Sequence, residues 1–205
     1  MEPRSHPRRA VVGALLALLW TPVVLLGACG GAAAPPADHE VVWGAGRGQS
    51  VALPFDGDAP ATALVFVSTT CPIANAYAPR LRALHARFED LGARLVLVQV
   101  EEGLTAGAAA AHGAQFGTTA PVVLDPDRRL VRLAGVTVTP EAAVFDAGGA
   151  LLYRGRIDDG FPDLGSRRAP TTAELRDAVE AVCGGKGDLP GDAPAVGCLI
   201  EGAGQ

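Results

Sequence analysis

The sequence predicts an α/β domain built on a mixed sheet, with a parallel core and an antiparallel C-terminal hairpin, flanked by helices. Three observations carry that prediction. Residues 62–68 (TALVFVS) form a continuous apolar run, the pattern of a strand buried on both faces. A helical pattern follows and then a second apolar run, residues 94–100 (RLVLVQV), the strand–helix–strand alternation that produces parallel pairs. Late in the chain Ala147-Gly148-Gly149 separates two further strand-like segments, a hairpin signal.

The elements follow in order. Residues 49–55 read as an opening strand ahead of 62–68. Over 75–91, Ala78, Leu81, Leu84, Phe88 and Leu91 recur at helical spacing while the charges lie largely elsewhere, and Gly92 ends the helix. Residues 105–116 are Ala-rich and helical, weakened by Gly107 and Gly113. Residues 121–125 read as a short strand and 127–134 as a short helix with an acidic cap. The hairpin strands are 141–146 and 150–157. Residues 171–183 close the domain as an amphipathic helix capped by Thr171 or Thr172, with Leu175, Ala178, Val179 and Val182 inward. Residues 184–205, rich in Gly, read as a loose, flexible tail.

Composition narrows the function. With 205 residues, 49% hydrophobic and 19% charged, the chain is neither disordered nor large enough for many domains. A net charge of −5 argues against a nucleic-acid partner, which needs a basic face. Arg4, Arg8 and Arg9 precede residues 10–28, which carry no charge, the layout of an export signal. Leu26-Gly27-Ala28-Cys29 resembles a bacterial lipobox, which implies a signal at 1–28, a lipid on Cys29 and attachment to a membrane of the cell envelope. Cleavage after another small residue, or retention as a membrane helix, are the alternatives. Residues 29–39 then read as the lipidated cysteine and its linker, and 40–183 as the folded domain.

Cys71 stands directly after the most apolar strand, with Pro72 following at a first-turn position where proline is tolerated. There a sulfur faces unpaired N–H groups and the positive end of a helix dipole, and both favour thiolate, the nucleophilic form. A buried structural cysteine is the competing reading. The end of a parallel strand, however, is where α/β folds carry their sites.

The segments VFVSTTCPIANAYAP, VTPEAAVFD, LLYRGRIDD and AVGC together resemble exported redoxins of the thioredoxin-like superfamily, of the AhpC/TSA-redoxin type, over about residues 40–200. The resemblance implies a thioredoxin-like fold, a cis bond between Thr139 and Pro140, and a place for both beside Cys71. It departs from the family patterns at identifiable positions. A thioredoxin-type second cysteine would stand at Ala74, and a copper-carrier cysteine at Asn75. Ser68 matches the hydroxyl residue of peroxiredoxins, whereas Leu64 stands where they have proline.

The resemblance implies a thiol redox protein. Cys71 attacks a peroxide or a disulfide, an external thiol returns it to the reduced state, and no cofactor is called for. Cys198, in the AVGC stretch, is the expected resolving partner. A helix over 171–183, at about 1.5 Å per residue, carries Cys183 about 20 Å from the active end. A Cys183–Cys198 bond is the alternative pairing. A non-catalytic binding module at the cell surface, or a copper carrier, are the alternative functions. His39, His85 and His112 show no metal spacing. Arg154, Arg156, Asp158 and Asp159 read as a solvated strand end, and residues 44–48 as a turn.

Overall fold

The computed structural model describes residues 41–43, 59–185, 187–191 and 193–203, all within the unit Pro35–Gln205. The opening strand read at 49–55, the turn at 44–48, His39, Cys29 and the export signal lie outside the described residues.

β1 (Val41–Trp43) was not read from the sequence, and it pairs antiparallel with β4 (Val122–Leu124). β2 (Ala61–Val67) pairs in parallel with β3 (Arg94–Gln99), and β3 in parallel with β4. β6 (Glu141–Asp146) joins the other side of β2 antiparallel, and β7 (Leu151–Gly155) joins β6. The six-stranded order is β1-β4-β3-β2-β6-β7. A separate antiparallel pair joins β5 (Val138–Thr139) to β8 (Cys198–Leu199). The architecture is the α/β mixed sheet that the alternation predicts.

The central position of β2 explains its unbroken apolar sequence. Ala63, Val65 and Val67 face one core with Leu81, Leu84 and Phe88 of α1 (Pro72–Asp90) and Leu175 and Val179 of α4 (Glu174–Gly184). Leu64 and Phe66 face the other, with Leu130 and Val131 of α3 (Arg129–Ala134). Every β2 side chain is buried, and each large one contributes about 1.5–3 kcal/mol by leaving water. α2 (Ala106–Phe116) starts at Thr105, whose hydroxyl accepts the Ala108 N–H at 3.2 Å, and ends at Gly117 in the left-handed region.

Four readings are corrected. The first helix begins at Pro72, not residue 75, because Cys71 itself caps it. The acid serving α3 is Asp125, before the expected span: its carboxylate accepts the N–H groups of Arg129 at 2.8 Å and Val131 at 3.0 Å. Thr171 and Thr172 do not cap α4, whose cap position is Ala173; their N–H groups turn to Asp159 instead. The expected loose tail folds back. Arg156 N–H reaches Ala193 O at 2.8 Å, β8 pairs with β5, and Ile200 is buried in the second core. Backbone pairing and scattered apolar anchors, Val196 on the first core and Ile200 and Ala203 on the second, hold it, and neither leaves a periodic sequence signal. Among the described residues no helix is long and apolar enough to cross a membrane.

Arg154, within β7, is exposed as expected, but the charges after β7 are not a solvated edge. Asp158 and Asp159 are 2% and 4% exposed. Asp158 accepts from Tyr77 Oη at 2.8 Å and pairs with Arg80 Nε at 2.6 Å, while Arg156 pairs with Glu174. Burial, then the Asp158 carboxylate, push the Tyr77 phenol above its ordinary range. The Thr171 hydroxyl, the Thr172 and Thr171 N–H groups and the Arg168 guanidinium hold the Asp159 carboxyl below its ordinary range, against the opposing effect of burial. A lowered folded pKa means that this stabilisation is complete above about pH 4 and is lost as pH falls through the folded value. Asp159→Asn is therefore expected to weaken the protein at pH 7 and to lessen its acid sensitivity. Urea midpoints at pH 7 and pH 3 check this, and an unchanged pH dependence would contradict it.

Candidate active site: a cysteine pair at a helix end and a strand edge

The chain leaves β2 through Ser68-Thr69-Thr70 and turns sharply, with Cys71 N–H donating to Ser68 O at 3.2 Å. Cys71 is extended (φ −81°, ψ 112°) and caps α1, its Sγ accepting the Ala74 N–H at 3.4 Å. Pro72 has no N–H to satisfy in this first turn. The sulfur is therefore held at the positive end of a 19-residue helix.

Two long-range bonds and one local bond position the loop before Cys71. Thr69 gives its N–H and hydroxyl to Glu101 at 2.9 and 2.6 Å. Asn75 Nδ2 donates to Thr69 O at 2.9 Å, which leaves Asn75 Oδ1 to accept from His112 Nε2 at 2.9 Å. His112 is thereby assigned the Nε2–H tautomer, and burial lowers its pKa. His85 is packed, with Nδ1 3.1 Å from the Thr119 hydroxyl. Ser68 does not bond the sulfur; its hydroxyl is paired with the Thr70 hydroxyl at 2.9 Å.

The second wall is the segment ending in Thr139 and Pro140, joined by a cis peptide bond. Cys71 Sγ–H donates to Thr139 O at 3.0 Å. The next residue, Glu141, is buried and accepts the N–H groups of Thr137 at 2.8 Å and Val138 at 3.3 Å, tying the segment to its own strand. Sequence reasoning passed over Glu141. Its signal was a carboxylate opening a strand whose next four residues are apolar, EAAVFD.

β8 completes the site. Cys198 stands opposite Thr139 in the β5–β8 register, and Ile200 N–H reaches Thr137 O at 2.9 Å. Gly197 lies flat on the Thr139 carbonyl; a Cβ there would fall 2.0 Å from Thr139 O. All three described cysteines are thiols: Cys71 is buried, Cys183 half-buried and Cys198 exposed. Cys183 packs against the first core, and burial raises its pKa. Beside Cys198 a mouth of about 370 Å³ opens, lined by Ser68, Thr70, Glu101, Arg128 and Glu201 among others.

The two thiols at this site shift in opposite directions. Burial raises the Cys71 pKa, but the Ala74 N–H, the Cys198 thiol, the Thr139 side chain and the Cys198 backbone lower it further, and the net shift is downward. Cys198 is shifted upward by its bond to Cys71, then by burial. The directions of the two shifts make Cys71 the more acidic of the pair. Given a two-electron oxidant such as a hydroperoxide or another disulfide, such a pair can close to a disulfide. Among the described residues no three or more His, Cys, Asp or Glu side chains cluster as metal ligands.

A strand-to-helix cysteine facing a cis X-Pro segment across an α/β mixed sheet defines a redoxin of the thioredoxin-like superfamily. The chain belongs to the AhpC/TSA family, whose match covers residues 33–154. It is similar to a hypothetical protein of Sinorhizobium meliloti, with 27% identity, a TM-score of 0.67, and coverage of 82% of this chain and 92% of that one. It is also similar to an uncharacterized conserved protein from Geobacillus kaustophilus, with 21% identity, a TM-score of 0.67, and coverage of 82% and 91%. No curated protein matches the chain. At family level its role is thiol redox chemistry.

Two outcomes check the site. Alkylation against pH is expected to show Cys71 ionising below an ordinary thiol, and Cys198→Ser to move that titration upward. An unmoved titration would mean that the pair is not coupled. Gly197→Ala is expected to lift β8 from the Thr139 carbonyl and speed alkylation of Cys198. Unchanged Cys198 reactivity would show that β8 does not depend on this close approach.

Proposed function

We propose that this protein is an exported two-cysteine thiol redox enzyme in which Cys71 is the attacking thiolate and Cys198 its resolving partner. One observation carries the reading: β8 stands Cys198 opposite Thr139, the residue whose carbonyl holds the Cys71 sulfur. Export rests on the basic and then uncharged residues before Cys29, and Cys29 is the proposed lipid-bearing residue that anchors the domain to a membrane of the cell envelope.

With a hydroperoxide, the Cys71 thiolate attacks the distal oxygen, the O–O bond breaks, the alcohol or water leaves with a proton, and a sulfenic acid remains. The Cys198 thiol then displaces water to give the Cys71–Cys198 disulfide. With a disulfide substrate, Cys71 forms a mixed disulfide and releases one thiol; Cys198 attacks and releases the second. The Ser68 hydroxyl is engaged by Thr70 rather than by the sulfur, which favours the disulfide branch. Two electrons from an external thiol complete either cycle.

The test is a disulfide map with intact mass, before and after one equivalent of hydrogen peroxide or of a small disulfide, on protein expressed with its signal. A Cys71–Cys198 bond is expected on oxidation, with a lipid mass on Cys29. Cys198→Ser is expected to stop at a sulfenic acid or mixed disulfide on Cys71. A Cys183–Cys198 bond with Cys71 free, or a Cys71 thiol inert to both oxidants, would overturn the reading.

A further inference from the structure

Arg128 is the residue of the mouth that the site chemistry leaves unexplained. It precedes α3 with φ 54° and ψ 33°, and among the described residues it is the non-glycine at positive φ. A long side chain adopts that conformation rarely, and it persists where the surroundings enforce it. Here they do: Arg128 N–H donates to Asp125 O at 3.0 Å, and the Asp125 carboxylate takes the N–H groups of Arg129 and Val131. The result directs the Arg128 side chain to the mouth beside Cys198. Its Nε is buried and has no hydrogen-bond partner among the described residues. A buried, unpartnered guanidinium N–H is uncommon in folded proteins, and it marks a side chain with no fixed internal pairing at that atom.

The same mouth carries Glu102 and Glu201, together with Glu101, which is already bonded to Thr69. One cation among several carboxylates suits neither a simple anion nor a simple cation. It suits a small molecule bearing both charges. The sulfur that such a molecule meets is Cys198, because Cys71 is 1% exposed and Cys198 lies in the wall of the mouth.

We propose that this mouth docks a low-molecular-weight zwitterionic thiol, of the amino-acid-thiol class, as the reductant of the Cys71–Cys198 disulfide, with Arg128 receiving its carboxylate. The proposal rests on the two-cysteine reading above. The reductant thiolate attacks Cys198 Sγ, the Cys71–Cys198 bond breaks, and its electron pair leaves on Cys71. A second thiolate attacks the mixed disulfide on Cys198, which departs and takes a proton. Two thiols become one small disulfide while the protein gains the two electrons. Arg128 acts as a binding residue: a guanidinium presents a fork of N–H donors matched to a carboxylate.

The experiment starts from full-length protein oxidised to the mapped Cys71–Cys198 disulfide. Its opening is followed with L-cysteine and with cysteamine at equal thiolate concentration, two reagents that differ only in the carboxylate. Arg128→Gln is expected to slow L-cysteine about fivefold, the scale of a partly exposed charge-assisted contact, and to leave cysteamine unchanged or faster. Arg128→Gly, which relieves the positive φ while removing the guanidinium, is expected to behave alike, so that misfolding does not account for the loss. Arg128→Lys is expected to retain part of the L-cysteine rate. Acid-quenched adducts are expected on Cys198. Equal slowing of both reagents, slowing of neither, or adducts on Cys71 would overturn the proposal and leave the two-cysteine reading standing. Failure to form the Cys71–Cys198 disulfide at all would overturn both.

Discussion

Cys71 can serve as a helix cap and a redox sulfur together only because its side chain lies between two backbone groups from opposite ends of the fold. The Ala74 N–H comes from its own helix, and the Thr139 carbonyl comes from the segment that enters β6. A donor favours the thiolate and an acceptor favours the thiol, and for Cys71 the net shift is toward the thiolate. The rest of the site serves this placement. Glu101, Asn75 and His112 hold the loop on one side, and Glu141 holds Thr137 and Val138 on the other.

The Thr139 backbone then does a second job. Its strand β5 is two residues long and would leave an open edge beside the thiol. β8 occupies that edge, and in doing so delivers Cys198. Only glycine at position 197 lets the tail lie on the carbonyl at that distance. A strand pairing that shields the edge therefore also supplies the coupled thiol. The Cys71 pKa is shifted downward and the Cys198 pKa upward, as the proposed roles of attacking and resolving thiol require.

Much of the architecture was legible in the sequence. β2 and β3 announced themselves because strands buried on both faces need no polar alternation. The hairpin turn was legible because Asp146 and two glycines form a local motif: Asp146 Oδ1 accepts the N–H groups of Gly148 and Ala150 at 2.9 and 2.8 Å. The helix caps were read less well. Asp125 and Asp159 act on N–H groups several residues away or across a loop, and neither follows the usual cap spacing. Asp158 and Asp159 looked like surface charges because their partners Tyr77, Arg80 and Thr171 are remote in sequence, and pairing is what permits their burial.

The sequence by itself determined the fold class and the place of Cys71. Both follow from short-range rules: two-face burial, helical spacing, and a Cys-Pro step at a strand end. Only the tertiary structure decided that β8 sets Cys198 opposite Thr139, that Ser68 turns away from the sulfur, and that Arg128 faces the mouth. A two-residue strand has no periodicity to read, and a side chain's partner is set by backbone pairing between segments far apart in the chain. Those contacts are formed by the fold as a whole, and local pattern does not encode them.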